Sequence, residues 1–233
     1  METTISGTVP EPAAGRSAGL VVFDIGEVLV GVDAAACPRY LADATGLAPE
    51  KVSRLLYDSG LYDRFDTGAL STEELLAELL RAVLGAPELS AQHVAAAWCA
   101  GIKVPCPVLA PIAARLAEAE RMVYATNNNP IHLPIVLERL AEAGVAGGVP
   151  EFVSFQVGVR KPDSEFFRIL RGVLPGPCTV FIDDRAENVL ACENAGLPAF
   201  HHTDPAATAA FLARLGVLGQ DWQRVVGAEG GGR

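Results

Sequence analysis

The sequence predicts an α/β fold in which a parallel sheet lies between two layers of helices, with an all-helical segment inserted early in the chain. Short apolar runs at 21–23 and 180–182 each end on a carboxylate, as buried parallel strands do where they reach a polar sheet edge. Such runs alternate with helical patterns beyond residue 106, whereas helical patterns alone fill 34–101. Five strand–helix units with right-handed crossovers therefore predict a three-layer sandwich with a Rossmann-like sheet.

The first strand is predicted at 21–24, and the turn-like apolar segment 26–33 after it is expected to form a small hairpin. Helical periodicity then predicts four helices, at 34–45, 49–57, 71–84 and 90–100. In the third of these, Ser71 and Glu74 have the spacing of a capping box, in which each side chain bonds the other residue's backbone N–H. This block contains no convincing strand and is expected to be an all-helical cap.

Strands and helices alternate from Cys106 onwards. The predicted helices lie at 108–120, 131–143, 163–173, 186–195 and 205–215, and Pro162 stands at the entrance of the third. The predicted strands lie at 121–126, 151–155, 179–183 and 198–201. We therefore expect a disordered leader at 1–19, a core domain at 20–33 and 104–218, a helical cap domain at 34–103 and a flexible tail at 219–233.

Composition narrows the classes of partner. The formal net charge is −10, with 18 basic against 28 acidic residues, so nucleic acid and anionic membrane surfaces are disfavoured. No apolar stretch approaches the length of a membrane span, and the first residues lack the pattern of a signal peptide. The five scattered cysteines suggest reduced thiols in a cytoplasmic protein. A small molecule is the expected partner, and the chain is expected to be a monomer or a homodimer.

Polar side chains follow the predicted strands. Asp24 ends the first, Thr126 the second, and the pair Asp183 and Asp184 a later one, while Lys161 lies shortly after the third. Carboxyl ends of parallel strands meet at one sheet edge, where open α/β sheets bind ligands. Taken singly, each residue is more readily a cap, a turn or a surface residue. As an ordered set, they predict a phosphoryl-transfer site.

Five motifs make the chain resemble the haloacid dehalogenase (HAD) superfamily, chiefly its aspartate-nucleophile phosphatases with a helical C1-type cap. They are FDIGEV at 23–28, FDTGALS at 65–71, ATN at 125–127, GVRKP at 158–162 and FIDDRAEN at 181–188. The likeness runs from about residue 20 to 215. In character the chain is most similar to a bacterial subgroup that contains an α-D-glucose-1-phosphate phosphatase.

The resemblance implies roles for the residues after the first and later strands. Asp24 is expected to attack phosphorus and form an aspartyl-phosphate. Mg²⁺ is the expected cofactor, held by Asp24, the backbone carbonyl of Gly26, Asp183 and Asp184, which are hard oxygen ligands.

The same resemblance implies how the phosphate is held. The Thr126 hydroxyl and the Asn127 backbone N–H are expected to bind its oxygens. Lys161 is expected to pair with both the phosphate and the nucleophile, which keeps the nucleophile ionised and oriented.

The chain departs from the family pattern at Gly26, where most family phosphatases have an aspartate that protonates the leaving oxygen. Losing a general acid typically costs about 10² to 10⁴ in rate. A substrate with a good leaving group, such as a sugar 1-phosphate, an acyl phosphate or an aryl phosphate, would compensate. Otherwise another acid substitutes: Glu27 is the leading candidate, followed by Asp33, Asp63 and Asp66.

The expected function is a Mg²⁺-dependent phosphatase acting on a small phosphorylated metabolite, favoured to be a sugar 1-phosphate. A 2-haloacid dehalogenase shares the fold and the nucleophile but attacks carbon without a metal, which leaves Asp183 and Asp184 without a purpose. Phosphonate hydrolysis requires a cap lysine, and only Lys51 and Lys103 lie in or beside the cap. A catalytically weak binding or regulatory protein is the alternative from another class.

Overall fold

The computed structural model describes residues 19–82 and 89–218. The leader expected at 1–19, Gly19 excepted, the tail expected at 219–233 and the last residues of the helix expected at 71–84 lie outside this range. The strands are β1 Leu20–Phe23, β2 Val30–Val32, β3 Ile102–Pro105, β4 Met122–Thr126, β5 Glu151–Val153, β6 Cys178–Asp183 and β7 Ala199–His201.

The helices of the first half are α1 Ala36–Thr45, α2 Pro49–Ser53, α3 Leu61–Asp66, α4 Thr72–Ala82 and α5 Ala91–Cys99, with a π-helical segment at Arg54–Asp58. Those of the second half are α6 Ala110–Glu118, α7 His132–Glu142, α8 Ser154–Val157, α9 Ser164–Val173, α10 Ala186–Asn194 and α11 Pro205–Arg214. Within the described ranges, none of these helices combines the length and the apolar character that crossing a bilayer requires.

Five parallel strands form the main sheet, in the order β5-β4-β1-β6-β7. Successive residues of β1 alternate between its faces: Val21 and Phe23 join one apolar cluster, and Leu20 and Val22 join another. Residues from α6, α7 and α11 complete the first cluster, and residues from α9 and α10 complete the second. These two helical layers confirm the predicted three-layer α/β sandwich with a Rossmann-like parallel sheet.

The helices α1–α5, here called the helical insert (residues 36–99), lie between β2 and β3 and bury an apolar cluster of their own. Leu56, Phe65, Leu75 and Trp98 are each at most 1% exposed within it. The predicted capping box of α4 is confirmed. The Ser71 N–H donates to the Glu74 carboxylate at 2.8 Å, and the Glu74 N–H donates to the Ser71 hydroxyl at 3.2 Å.

The prediction of a small hairpin at 26–33 is wrong. Val30–Val32 instead pairs antiparallel with Ile102–Pro105, which follows the helical insert in the sequence. The sequence pattern missed β3 because it has only four residues, each at least partly exposed, so it lacks the long apolar run of a buried strand. The predicted domain boundary between 103 and 104 therefore falls inside a strand.

Two other expected elements differ from the structure, and one short helix was not expected. The strand expected at 151–155 ends at Val153, and Ser154 begins the short helix α8, where its hydroxyl donates to the backbone carbonyl of Asp66. The helix expected at 49–57 divides into α2 and the π-helical segment. Helix α3 was not predicted because six residues are too few to show helical periodicity.

Gly68 fixes how closely the helical insert approaches the core. Its φ is +69°, and a Cβ placed there would lie 2.3 Å from the carbonyl oxygen of Phe155. Gly46, at the end of α1, has the same φ of +69° but nothing within 4 Å of such a Cβ. The two glycines therefore share a left-handed backbone but differ in the space around them.

We predict that Gly68→Ala destabilises the protein more than Gly46→Ala. Both substitutions place an L residue in the left-handed region, which lowers the free energy of unfolding by about 1–2 kcal/mol. Gly68→Ala adds a clash between the new Cβ and the backbone, and such overpacking typically lowers the free energy of unfolding by a further amount of about 1–3 kcal/mol. Thermal melting of the two variants against the parent protein measures the difference, and equal melting temperatures would contradict the close approach of Gly68 to Phe155.

Candidate active site

The carboxylates of Asp24 and Asp183 lie side by side at the carboxyl edge of the sheet. β1 and β6 pair with Phe23 opposite Ile182, and the Asp24 N–H donates to the Ile182 carbonyl at 2.9 Å. Each strand therefore brings its terminal aspartate to the same level. Asp184 adds a third carboxylate, and one oxygen from each of the three lies within 4.8 Å of the others. The strand order reverses between β1 and β6, which is where open α/β sheets bind ligands.

The ammonium group of Lys161 joins these carboxylates. Its Nζ lies 2.9 Å from Asp24 Oδ1 and 2.6 Å from Asp183 Oδ2, and it donates to the carbonyl of Ala125 at 3.0 Å. The residue is 1% exposed, and Nζ lies 5.3 Å from the centroid of the Phe181 ring. All three ammonium hydrogens thus have an acceptor, as a lysine this deeply buried requires.

Three carboxylates face one ammonium group, so the site carries surplus negative charge. Burial raises the pKa of Asp24 to about 6; Lys161 opposes this rise and the charge of Asp183 adds to it. Burial and then the charge of Asp183 also raise the pKa of Asp184. A divalent cation would relieve this repulsion, and carboxylate and carbonyl oxygens are the donors that Mg²⁺ prefers. The donor set therefore fits such an ion.

Asp183 is held in place by two donors that follow it in the chain. Its Oδ1 accepts from the backbone N–H of Arg185 at 2.9 Å and from the side-chain amide of Asn188 at 2.8 Å. Sequence reasoning assigned no role to Asn188, which is 2% exposed. The signal that could have indicated one is a short amide side chain in the first turn of α10, directly after the acid pair.

The loop after β4 supplies donors to the same edge. Thr126, the last residue of the strand, is buried and its hydroxyl donates to the Asn127 carbonyl at 3.3 Å. The Asn127 side chain clasps the backbone of Lys161, donating to its carbonyl at 2.9 Å and accepting from its N–H at 2.8 Å. Asn127 therefore also positions the lysine, a role that the sequence did not reveal. Its own backbone N–H has no acceptor within the described residues.

Gly26 and Glu27 lie in the turn between β1 and β2. Gly26 has open space: the nearest atom to a Cβ built on it is Val32 Cγ2, at 3.7 Å. Glu27 has a φ of +55°, and its carboxylate accepts from the backbone N–H of Val32. Glu27 is exposed, and its carboxylate is already engaged.

The other candidate acids are engaged as well. Asp33 pairs with Arg39, whose hydrogen bond is the main cause that lowers the pKa of the carboxyl group. Asp63 pairs with Arg160 on the core. Burial raises the pKa of Asp66 to about 7, against the effect of a hydrogen bond from the Asn129 side chain.

A buried hydrogen-bonded chain joins the helical insert to the core near this loop. The amide of Asn129 donates to Asp66 at 3.0 Å and contacts His132 Nδ1 at 3.1 Å. His132 Nε2 in turn contacts the backbone carbonyl of Trp98. Burial lowers the pKa of His132, and the bond to Trp98 only partly offsets this. Both ring nitrogens are thus occupied, with Nε2 donating to the carbonyl.

A cavity of about 110 Å³ lies between the sheet edge and the helical insert. Its wall includes Ile25 and Gly26, which follow the nucleophile candidate, and the residues 126–128 of the loop after β4. Side chains of the insert form much of the opposite wall. The cavity therefore adjoins the residues predicted to hold a phosphate group.

Comparison with known proteins identifies the fold. No protein-family model matches the chain. A HAD-like family hydrolase from Porphyromonas gingivalis is 24% identical, with a TM-score of 0.69 over 84% of this chain and 98% of its own. A HAD family enzyme from Bacteroides thetaiotaomicron, in complex with magnesium and inorganic phosphate, is 18% identical, with a TM-score of 0.65 over 79% of this chain and 94% of its own. The chain has the HAD-like fold.

The HAD-like fold alone does not distinguish attack on phosphorus from attack on carbon. An L-2-haloacid dehalogenase from Xanthobacter autotrophicus shares it, with 18% identity and a TM-score of 0.50 over 90% of this chain and 88% of its own. A segment of 66 residues is 39% identical to a sesquiterpene phosphatase from Aspergillus oryzae, over 28% of this chain. The match spans about a third (34%) of that relative's length.

We predict that Asn188→Ala weakens Mg²⁺ binding by about 10- to 100-fold, the usual cost of removing a group that orients a metal ligand. The substitution removes the side-chain donor that holds Asp183. Isothermal titration of the apo protein with Mg²⁺ measures the affinity. Asn194→Ala, at an exposed position of the same helix, is the matched control. Equal affinities for the two variants would refute the orienting role.

Proposed function

We propose that this protein is a Mg²⁺-dependent phosphatase that hydrolyses a small phosphate monoester through an aspartyl-phosphate on Asp24. The observation that carries the proposal is the cluster of Asp24, Asp183 and Asp184 around the Lys161 ammonium, at the switch point of the sheet. The relative named a phosphatase and the HAD family enzyme that binds magnesium and phosphate give further support.

The two oxygens of Asp24 suit different tasks. Oδ1 accepts from the Ile25 N–H at 2.8 Å and from Lys161, which together fix the carboxylate. Oδ2 has no hydrogen bond within the described residues and attacks phosphorus. A bond forms between Oδ2 and phosphorus, the bond to the ester oxygen breaks, and that oxygen leaves with the electron pair. Water then attacks phosphorus, releases inorganic phosphate and a proton, and restores the carboxylate.

The charge of the phosphoryl group must be neutralised before a carboxylate can attack it. Mg²⁺ held by Asp24, Asp183, Asp184 and the Gly26 carbonyl would supply much of this neutralisation. The Thr126 hydroxyl and the Asn127 N–H would donate to the phosphate oxygens, and the positive charge of Lys161 would attract them.

The leaving oxygen has no evident proton donor in this proposal. Gly26 has no side chain, and Glu27, Asp33 and Asp63 are each bonded to another group. Asp66 is hydrogen-bonded to Asn129. We therefore favour a substrate whose leaving group is a weak base. A sugar 1-phosphate, of the kind used by the glucose-1-phosphate phosphatase subgroup, and an aryl phosphate are two candidates. The name of the fungal relative also suggests a terpenyl phosphate, but its leaving alkoxide is a stronger base.

A 2-haloacid dehalogenase is the competing enzymatic function, because the fold is shared. Attack on carbon requires no cation, so the converging carboxylates favour the phosphatase. Loss of activity in EDTA and its return with Mg²⁺ would separate the two functions. Metal-independent release of halide from a 2-haloacid would instead favour the dehalogenase.

We predict that Asp24→Asn lowers turnover of 4-nitrophenyl phosphate by at least about 10³-fold, because an amide is not a nucleophile. The fold should survive, since the two side chains share a shape and the change removes one of three like charges. Phosphate release and mass spectrometry of acid-quenched protein test this, because only the parent should carry a phosphoryl group. Asp43→Asn, at an exposed site in α1, is the control. Full activity of the Asp24 variant would refute the assignment.

We predict that Gly26→Asp speeds hydrolysis of alkyl phosphates by about tenfold or more, up to the 10² to 10⁴ that a general acid typically contributes. The position has room for a side chain and adjoins the cavity. Hydrolysis of 4-nitrophenyl phosphate should change little, because nitrophenolate leaves without a proton. Gly26→Asn has the same shape without an acidic proton and is the control. An equal gain with both esters would contradict the missing-acid explanation.

A further inference from the structure

The wall of the cavity beside the sheet edge has two chemically different parts. The part near the nucleophile is polar and is formed by Gly26, Thr126 and Asn127. The remainder is largely aromatic and aliphatic, and its main side chains are those of Val32, Tyr57, Tyr62, Trp98, Ile102 and Val136. A phosphate ester bound with its phosphorus at Asp24 would extend its organic group into this second part.

Most polar groups in the wall already have partners. The Tyr57 hydroxyl donates to the Ala34 carbonyl at 3.0 Å, and both nitrogens of His132 are occupied. Burial raises the pKa of Cys37 to about 12, so its thiol stays neutral. A sugar has several hydroxyl groups, and each one buried without a partner costs free energy. This wall offers them few partners.

Tyr62 and Trp98 are the exceptions among the polar side chains. The indole Nε1 of Trp98 has no hydrogen-bond partner within the described residues, but it is enclosed and has almost no accessible surface. Tyr62 lines the cavity, and its hydroxyl forms no hydrogen bond within the described residues and can serve one oxygen of a ligand. One donor suits an organic group with a single oxygen, whereas a sugar ring carries several.

Charge limits the substrate further. Asp33 is the only charged side chain in the described wall, and no lysine or arginine lines it. That carboxylate is paired with Arg39, so the described wall offers a second phosphate group on the organic part no free lysine or arginine. This favours a monophosphate ester over a diphosphate or a nucleotide.

The outer part of the wall also carries exposed apolar surface. Val32 is 37% exposed and Tyr57 is 38% exposed, and both line the cavity. The volume of about 110 Å³ is similar in scale to the roughly 150 Å³ cavity that binds benzene in another protein. An organic group of about the size of one ring therefore fits inside the cavity. A longer organic group would extend out of the cavity past Val32 and Tyr57.

We propose that the substrate is the monophosphate ester of a hydrophobic hydroxyl compound, whose apolar group occupies the cavity between the helical insert and the sheet edge. This inference rests on the proposed phosphatase function and decides between its two candidate substrates in favour of the apolar one. It replaces the sugar 1-phosphate that the sequence favoured.

The test uses phenyl, 4-ethylphenyl and 4-butylphenyl phosphate, whose leaving groups have nearly the same basicity. With Mg²⁺ present, kcat/KM is expected to rise up to about fourfold for each methylene that is buried. Titration calorimetry on the inactive Asp24→Asn variant measures binding without chemistry. There, 4-butylphenyl phosphate should bind at least about tenfold more tightly than glucose 1-phosphate, with a negative heat-capacity change.

Val32→Thr and Val104→Thr form a matched pair of variants. Both make the same change in the β2–β3 ribbon and keep a β-branched side chain, but only Val32 lines the cavity, and Val104 is 72% exposed. Val32→Thr should reduce the preference for 4-butylphenyl over phenyl phosphate by about two- to fivefold, since it places a hydroxyl in the apolar wall. Val104→Thr should leave that preference unchanged.

Failure of this inference and failure of the phosphatase proposal are distinguishable. A flat chain-length series in an active enzyme, or binding of glucose 1-phosphate as tight as that of the butylphenyl ester, would overturn the apolar site and leave the phosphatase standing. If the parent protein hydrolyses none of the esters, the phosphatase proposal fails. Tighter calorimetric binding of the butylphenyl ester would then still support the apolar site.

Discussion

The position of the Lys161 ammonium group, between Asp24 and Asp183, is the constraint on which the rest of the site depends. The pairing of β1 with β6 forces two carboxylates together at a buried sheet edge, and their repulsion has to be compensated there. Lys161 does this because the Asn127 side chain clasps its backbone and Ala125 accepts its remaining hydrogen. The loop residue Asn127 thus connects the end of β4 to Asp24 through Lys161. One ammonium does not balance three carboxylates, which is why the site suits a divalent cation.

Sequence reasoning was most successful where local pattern and global geometry agree. The apolar runs that end on Asp24 and Asp183 predicted both the strands and their meeting at one edge, because parallel strands share a direction. It failed where an element is short or depends on distant partners. β3 is four residues long and exists through its pairing with β2. Likewise, the bond between Asn188 and Asp183 depends on how α10 packs against β6, which periodicity does not reveal.

The glycine at position 26 and the apolar cavity wall favour the same kind of substrate. In the proposed reaction, a leaving oxygen that receives no proton must carry its own charge, which delocalisation into an attached aromatic group eases. Such groups are also the ones that gain from burial against Tyr62, Trp98 and Ile102. Under the proposal, an aromatic phosphate ester would therefore suit both the absence of an acid at position 26 and the lack of polar partners in the wall. The phosphate end would lie near Thr126, Asn127 and Lys161 in the proposed complex.

The pairing of Val32 with Ile102 has a consequence for how this architecture changes over time. The chain leaves the sheet layer and returns to it at adjacent points, where the Asp33 N–H donates to the Gly101 carbonyl at 2.8 Å. Everything between these points is one contiguous stretch whose ends already touch. A different stretch could be transplanted there without disturbing the order of the main sheet. The helical insert and the main sheet are thus encoded in separable pieces of the gene, and one can diverge while the other stays fixed.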